Sequence, residues 1–331
     1  MTETVRLSYA DAIREAFRFM LQNDPDVFVL GQGLWSPWYV GNSMTDLDKE
    51  FGTQRVIDTP VSESLTTAAA VGASISGMKP IVVHPRMDFM LYAMDTIVNQ
   101  ASKWRYMFQG RSSSPVTIRS IINRGGEQGA QHSQSLQSLY AHIPGIRVVM
   151  PYTPEDAYDL LVASVNCKDP VIYIDDRWLY DLSSDFCLRN RPVLSLSEIT
   201  PNFIHRGDFA TVVSSSYGVE ASRRALQAFS SEKPCDLIDL RAISPISEKS
   251  MEVIRTSVRK TSKLVVVDAA WAECGISSEI IARVFEGLAP SNHSICVKRV
   301  TLPAAPAPCA SSLESVYYSL ERDFLTYLEQ L

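Results

Sequence analysis

The sequence predicts an α/β protein of two domains, the first built on a mainly parallel sheet. Three observations predict it. Short apolar runs that suit buried strands alternate with stretches of helical periodicity along the whole chain. The length of 331 residues exceeds what one core usually supports, about 250–300 residues. Composition shifts over residues 182–208, where Asp, Ser, Arg and Pro cluster. The expected layout is a first domain over 1–185, a linker over 186–207 and a smaller α/β domain over 208–331.

Each element has a local reason. Residues 8–23 read as an amphipathic helix, because Ala10, Ile13, Ala16, Phe17 and Met20 recur at helical spacing. A strand over 27–30 follows and ends in Gly31-Gln32-Gly33. Ser36 stands where a dinucleotide fingerprint needs its third glycine, and Pro37 follows, so that motif fails. A short helix over 45–51 and strands over 55–57 and 81–83 come next, then a long helical pattern over 89–104. Strands over 116–122, 146–149 and 171–174 surround a helix over 154–166. The second domain repeats the alternation: strands over 210–214, 236–239, 263–268 and 295–300, helices over 219–229, 248–260, 276–286 and 313–331.

Composition excludes several classes. The chain is 46% hydrophobic and 21% charged, with net charge −6, and no basic stripe stands out, so nucleic acid is not an expected partner. The N-terminal stretch MTETVRLSYADAIREAF has no apolar core segment of a secretory signal. No run of 18 apolar residues occurs, so a soluble protein without a membrane partner is expected. Six scattered cysteines without CxxC spacing argue for the reducing cytoplasm and against a structural zinc site.

One stretch stands apart, IDTPVSESLTTAAAVGASISGMKP over 57–80. Pro60 disfavours helix before it, Ser62 is the expected N-cap, and Gly77 with Pro80 supplies a stop, giving a helix over 63–76. Nearly every side chain in it is small, which lets another backbone or a flat ligand approach closely. Glu63 sits at its head. Two readings stay open: a first-turn acid that complements the helix dipole, or a carboxyl with chemistry to do.

Two further places offer company. The loop GGEQGAQHSQ (125–134) follows a strand, and its glycines would present His132 for proton transfer near neutral pH. No Gly-Lys-Ser/Thr follows, so it is not a nucleoside-triphosphate loop. The segment VHPRMDF (83–89) places Phe89 to stack on a flat ring, with His84 and Arg86 to meet a substrate anion. Phe89 in the core and Arg86 in a surface ion pair are the alternatives.

The order of these segments resembles the beta subunit of the thiamine-diphosphate-dependent 2-oxo acid dehydrogenases, in the transketolase-like superfamily. VIDTPVSE (56–63), AVGASISGMKPIV (70–82), GAQHSQSL (129–136) and IPGIRVVMPYTPEDAYDLL (143–161) carry it in the first half. DLIDLRAISPIS (236–247), KLVVVDAAWAECGISSEIIARV (263–284) and RVTLPAAPAPCASSLE (299–314) continue it. The resemblance implies a pyrimidine-binding domain followed by a transketolase C-terminal-like domain. Glu63 then stands where the family's glutamate bonds the aminopyrimidine nitrogen of the cofactor, Phe89 where an aromatic stacks on that ring, and His132 where a histidine faces the substrate.

The resemblance also implies an α2β2 assembly that decarboxylates a 2-oxo acid and passes the acyl unit to a lipoyl acyltransferase core or another acceptor. Gly207-Asp208 is followed by Phe209, so the Gly-Asp-Gly segment that anchors the diphosphate through Mg²⁺ is missing and no metal is expected on this chain. That half is expected on an alpha partner. Departures fall at Gln32, where the family shows an acid, at Val83-His84, and around Asp268-Ala269-Ala270-Trp271. Two alternatives remain: the small subunit of a split transketolase moving a two-carbon ketol unit, and a non-catalytic partner that keeps the fold.

Overall fold

The computed structural model describes residues 4–188, 191–229, 232–289 and 294–331. In chain order the first half comprises β1 (Val5–Ser8), α1 (Tyr9–Asn23), β2 (Val27–Gly31), α2 (Leu47–Phe51), β3 (Val56–Asp58), α3 (Glu63–Ile75) and β4 (Lys79–His84). It continues through α4 (Ser102–Met107), β5 (Thr117–Ile122), α5 (Gln137–Ala141), β6 (Arg147–Val149), α6 (Pro154–Val165), β7 (Val171–Asp176) and β8 (Ser183–Phe186). The rest holds β9 (Asn202–His205), β10 (Thr211–Ser214), α7 (Tyr217–Ala228), β11 (Asp236–Asp239), β12 (Ala242–Ser244) and α8 (Glu248–Thr261). It ends with β13 (Lys263–Trp271), α9 (Ile276–Leu288), β14 (Cys296–Leu302), α10 (Ser311–Tyr317) and α11 (Leu320–Glu329).

Two units result, Met1–Asn123 with Leu139–Ile199, and Arg124–Ser138 with Thr200–Leu331. In the first, parallel strands follow in the order β6-β7-β5-β4-β2-β3. Strands β4, β5 and β7 are buried along nearly their whole length, as parallel strands covered on both faces must be. Helix α1 packs its Ala10, Ile13, Phe17 and Met20 face against α6. Both helices begin on side-chain caps. The Ser8 hydroxyl accepts from Asp11 N at 3.1 Å, and Thr153 Oγ1 accepts from Asp156 N at 3.1 Å.

A buried ion pair links two of these strands. Arg119 on β5 and Asp175 on β7 are both fully buried and meet fork to fork, Nε to Oδ1 at 3.0 Å and Nη2 to Oδ2 at 2.8 Å. The Tyr180 hydroxyl donates to Asp175 Oδ2 at 2.6 Å, and the Arg119 guanidinium lies 5.7 Å over the Phe17 ring. Burial works against the arginine's charge, but the carboxylate beside it holds its pKa above the ordinary value.

The second unit's sheet has the order β14-β13-β10-β11-β9, parallel except for β9. Strand β9 lies within the stretch read from composition as a linker. Helix α8 starts where Ser247 Oγ accepts from Ser250 N at 3.0 Å and stops at Ser262, whose φ of 54° is left-handed.

Two long helices expected from the sequence are broken. Residues 89–104 form a 3-10 segment (Met87–Ala93), a π-helical turn (Thr96–Ala101) and α4. The Ser102 hydroxyl donates to Val98 O at 2.6 Å, a back-bond that competes with regular helix, and β-branched Thr96, Ile97 and Val98 crowd the turn. The terminal helix is two helices, α10 and α11, and Ser319 between them donates from its hydroxyl to Asp323 Oδ2 at 2.6 Å. Among the described residues no helix is long and apolar enough to cross a membrane.

Candidate active site

The chain reaches α3 through a tight corner. Asp58 Oδ1, at the end of β3, accepts from Gly33 N at 2.6 Å, and Thr59 N donates to Gly31 O at 2.9 Å. Pro60 then lets the backbone turn into the helix. Ser62 occupies the N-cap position, but its side chain makes no capping bond there, contrary to expectation. Its carbonyl instead accepts from Thr66 N at 2.9 Å.

Glu63 is the first helical residue and is half-buried. Helix α3 turns Thr67, Ala70, Val71 and Ser74 inward and leaves Ala68, Ala69 and Leu65 exposed. A side chain added at Gly72 would meet nothing within 4 Å. The outer face of α3 thus carries small residues apart from exposed Leu65, with a carboxyl at its head. The helix packs on β4 and on the 3-10 segment that carries half-buried Phe89, and the Ser64 hydroxyl donates to Tyr92 O across that contact. A carboxyl and an aromatic ring, each partly open and on adjoining elements, are what a flat nitrogen heterocycle needs. The donor set fits the pyrimidine half of thiamine diphosphate.

His84 and Arg86 share the strand end with Phe89 but face differently. His84 is 2% exposed, and its Nε2 lies 3.1 Å from Thr67 Oγ1. This contact ties β4 to α3. Burial pushes its pKa down to about 4, so the ring stays neutral at physiological pH.

The sign of the stability effect follows. An unfolded histidine takes a proton below about 6.5, and the folded one resists until about 4, so His84 costs stability increasingly as pH falls from 6.5 toward 4. At pH 5 the penalty relative to pH 7.5 is about 2 kcal/mol. Urea midpoints of the native chain and His84→Gln at both pH values check this, with the variant expected to lose less stability on acidification. Equal losses in the two proteins would contradict it.

His132 belongs to the second unit. Its loop is built of left-handed residues, Gly125 (φ 65°), Gly126 (67°), Glu127 (59°) and Gly129 (72°), which explains the glycines. Glu127 N donates to Glu314 Oε1 at 3.0 Å, and a side chain at Gly129 would strike Cys309 Sγ. His132 is half-buried and its N–H donates to Gly129 O at 3.3 Å. At the loop's end, Gln137 Nε2 donates to Asp268 Oδ1 at 3.3 Å. Burial raises the Asp268 carboxyl to about 6, against the opposing pull of the Ser277 N–H, the Arg124 charge and Gln137. The helix that Glu63 heads thus packs on the 3-10 segment that carries Phe89, and His132 lies on the other unit.

Asn123 and Arg177, beyond the ends of β5 and β7, are joined where Arg177 Nη1 donates to Asn123 Oδ1 at 3.1 Å, and neither lies in a recognisable sequence motif. Gln32, a departure from the expected acid, donates from Nε2 to the Tyr39 hydroxyl at 2.6 Å.

Two α/β units in this order, the first with a carboxyl-headed small-residue helix, define a transketolase-like protein. Residues 5–181 match the pyrimidine binding domain of transketolase, and residues 202–321 match the transketolase C-terminal domain. The chain is 34% identical to the acetoin:2,6-dichlorophenolindophenol oxidoreductase subunit beta of Cupriavidus necator, over 94% of this chain and 93% of the relative. It is 33% identical to the mitochondrial pyruvate dehydrogenase E1 component subunit beta of Homo sapiens, over 94% and 86%. It is similar in fold to a split gene transketolase solved as an inactive beta4 tetramer, with TM-score 0.74 and 18% identity over 98% and 97% of the chains. The chain belongs to the thiamine-diphosphate-dependent transketolase-like family, as a beta subunit of the 2-oxo acid dehydrogenase type. These relatives do not favour the split-transketolase or the non-catalytic alternative.

Proposed function

We propose that this chain supplies the pyrimidine-binding half of a thiamine-diphosphate site in an α2β2 enzyme that decarboxylates a 2-oxo acid and transfers the acyl unit to a lipoyl group or another acceptor. The observation that supports it is that α3, headed by Glu63, packs on the 3-10 segment that carries Phe89. When bound, the cofactor supplies a nucleophilic ring carbon and an electron sink for the pair released with carbon dioxide. Glu63 holds and shares a proton at the pyrimidine nitrogen, Phe89 fixes the plane of that ring, and His132 moves a proton at the substrate oxygen. Arg86 faces the substrate's negative charge. His84, neutral and enclosed, supports α3 from beneath.

The alpha partner holds Mg²⁺ and the diphosphate, since Gly207-Asp208-Phe209 lacks the second glycine of the anchoring motif. The small-residue face of α3 suits close packing at a subunit interface. Six unpaired cysteines agree with a cytoplasmic setting.

Calorimetry tests the division of labour. The purified chain alone is expected to bind thiamine diphosphate with Mg²⁺ weakly. Co-expression with its alpha partner is expected to give a tetramer that binds both and reduces an artificial dye with a 2-oxo acid. Tight Mg²⁺-dependent binding by the chain alone counts decisively against the proposal.

A further inference from the structure

The loop that carries His132 is pinned to the rest of the second unit near both of its ends. At its start Glu127 N donates to Glu314 Oε1 at 3.0 Å, and Ser311 N donates to Glu127 Oε1 at 3.3 Å. At its end Gln137 Nε2 donates to Asp268 Oδ1 at 3.3 Å, on β13. Between the anchors burial alternates: Ser133 and Ser135 are buried, while His132 and Gln134 are half-open. In an extended chain successive side chains point to opposite sides, so the hold on Gln137 fixes the register that turns His132 outward.

That second anchor lacks one proton. Asp268 is 8% exposed and Gln137 2% exposed. Among the described residues Asp268 Oδ2 and Gln137 Oε1 are both buried, and neither has a hydrogen-bond partner. The start of α9 closes over the carboxyl, since a side chain at Gly275 would come within 3.4 Å of Oδ2. A carboxylate only accepts, but a protonated carboxyl donates and accepts, which is the complement of a primary amide's edge. The surroundings favour that proton. Burial raises the Asp268 carboxyl to about 6, and the Ser277 N–H from α9, the Arg124 charge and Gln137 oppose it only in part. Thr301, opposite on β14, is uncharged.

We propose that Asp268 and Gln137 form a proton-operated latch that positions the His132 loop: the carboxyl donates its proton to Gln137 Oε1 while Gln137 Nε2 donates to Oδ1. When the proton leaves to solvent, two acceptors remain against each other and one of the two bonds is gone. The latch is closed in acid and half-open in base. What the positioned histidine does rests on the reading under Proposed function; the latch itself does not.

Asp268→Asn makes the closed state permanent, because its amide nitrogen replaces the carboxyl O–H as donor. Deuterium exchange of the full chain, corrected for the intrinsic rate at each pH, reads the loop over residues 129–137. The two proteins are expected to exchange alike near about pH 5, and the native loop up to about tenfold faster near about pH 8, the loss of one hydrogen bond. Gln137→Met, which has no amide, is expected to exchange fast in both conditions, and melting temperatures on the same samples show that each variant is folded. Infrared difference spectra of native against Asp268→Asn are expected to show a protonated-carboxyl band in acid that vanishes in base. Equal exchange of native and Asp268→Asn at both pH values overturns the latch. So does the absence of that band in acid, the result for an ionised carboxylate bridged to the amide by water. Latch behaviour in a protein that, with its alpha partner, turns over no 2-oxo acid overturns the functional reading and leaves the latch standing.

Discussion

In the assembled enzyme Glu63→Gln slows exchange of the cofactor's acidic ring C–H by about two to four orders of magnitude, the range for loss of a positioned acid–base group. Glu63 sits in the first turn of α3, half-buried, with the open small-residue face behind it. An amide of the same shape fills the same space. It has no proton equilibrium to share with a weakly basic ring nitrogen. If the acid served only the helix dipole, the loss would be about 0.3–1 kcal/mol of stability with exchange untouched. The functional role predicts the reverse: near-normal melting and slow exchange. Quenched-flow hydrogen–deuterium exchange and melting on the same preparation separate the two, and native exchange rates in Glu63→Gln would sink the assignment.

What was legible in the sequence follows from which forces act locally. Strands β2, β4 and β7 announce themselves as apolar runs because both of their faces are covered. Helix α3 is legible from Pro60 and Gly77, which set its limits through backbone geometry alone. The short strands β1 (VRLS), β8 (SSDF) and β9 (NFIH) carry no such run. They form because a partner strand distant in sequence satisfies their backbone, as Val5 opposite Phe186 shows. The break within residues 89–104 depends on the Ser102 back-bond, which periodicity does not register. For the candidate site, Glu63, Phe89 and His132 were reached through a resemblance between segments. The Asn123–Arg177 contact was not, since only the alignment of strand ends brings the two together. His84 shows the converse: a polar residue in a motif-like segment that the fold turns into the interior.

The largest effect on stability is expected at the Arg119–Asp175 pair. Asp175→Ala removes the carboxylate from a guanidinium that is 0% exposed and also strips the Tyr180 hydroxyl of its acceptor. Water does not reach the site, so the arginine is left charged and uncompensated, a situation that costs about 3–5 kcal/mol. The Phe17 ring 5.7 Å from the guanidinium returns only a fraction of that. Removing both charges is a different matter. Arg119→Met with Asp175→Leu replaces the pair by apolar side chains of comparable bulk, and such replacements of buried pairs are often neutral or stabilising. The double variant should therefore be more stable than Asp175→Ala despite carrying two changes. Urea midpoints at constant slope measure this, and the comparison distinguishes a pair that stabilises the core from one that is merely costly to break. A loss below about 1 kcal/mol in Asp175→Ala would mean that the carboxyl end of β7 yields to water, and that the charges were never sealed from solvent.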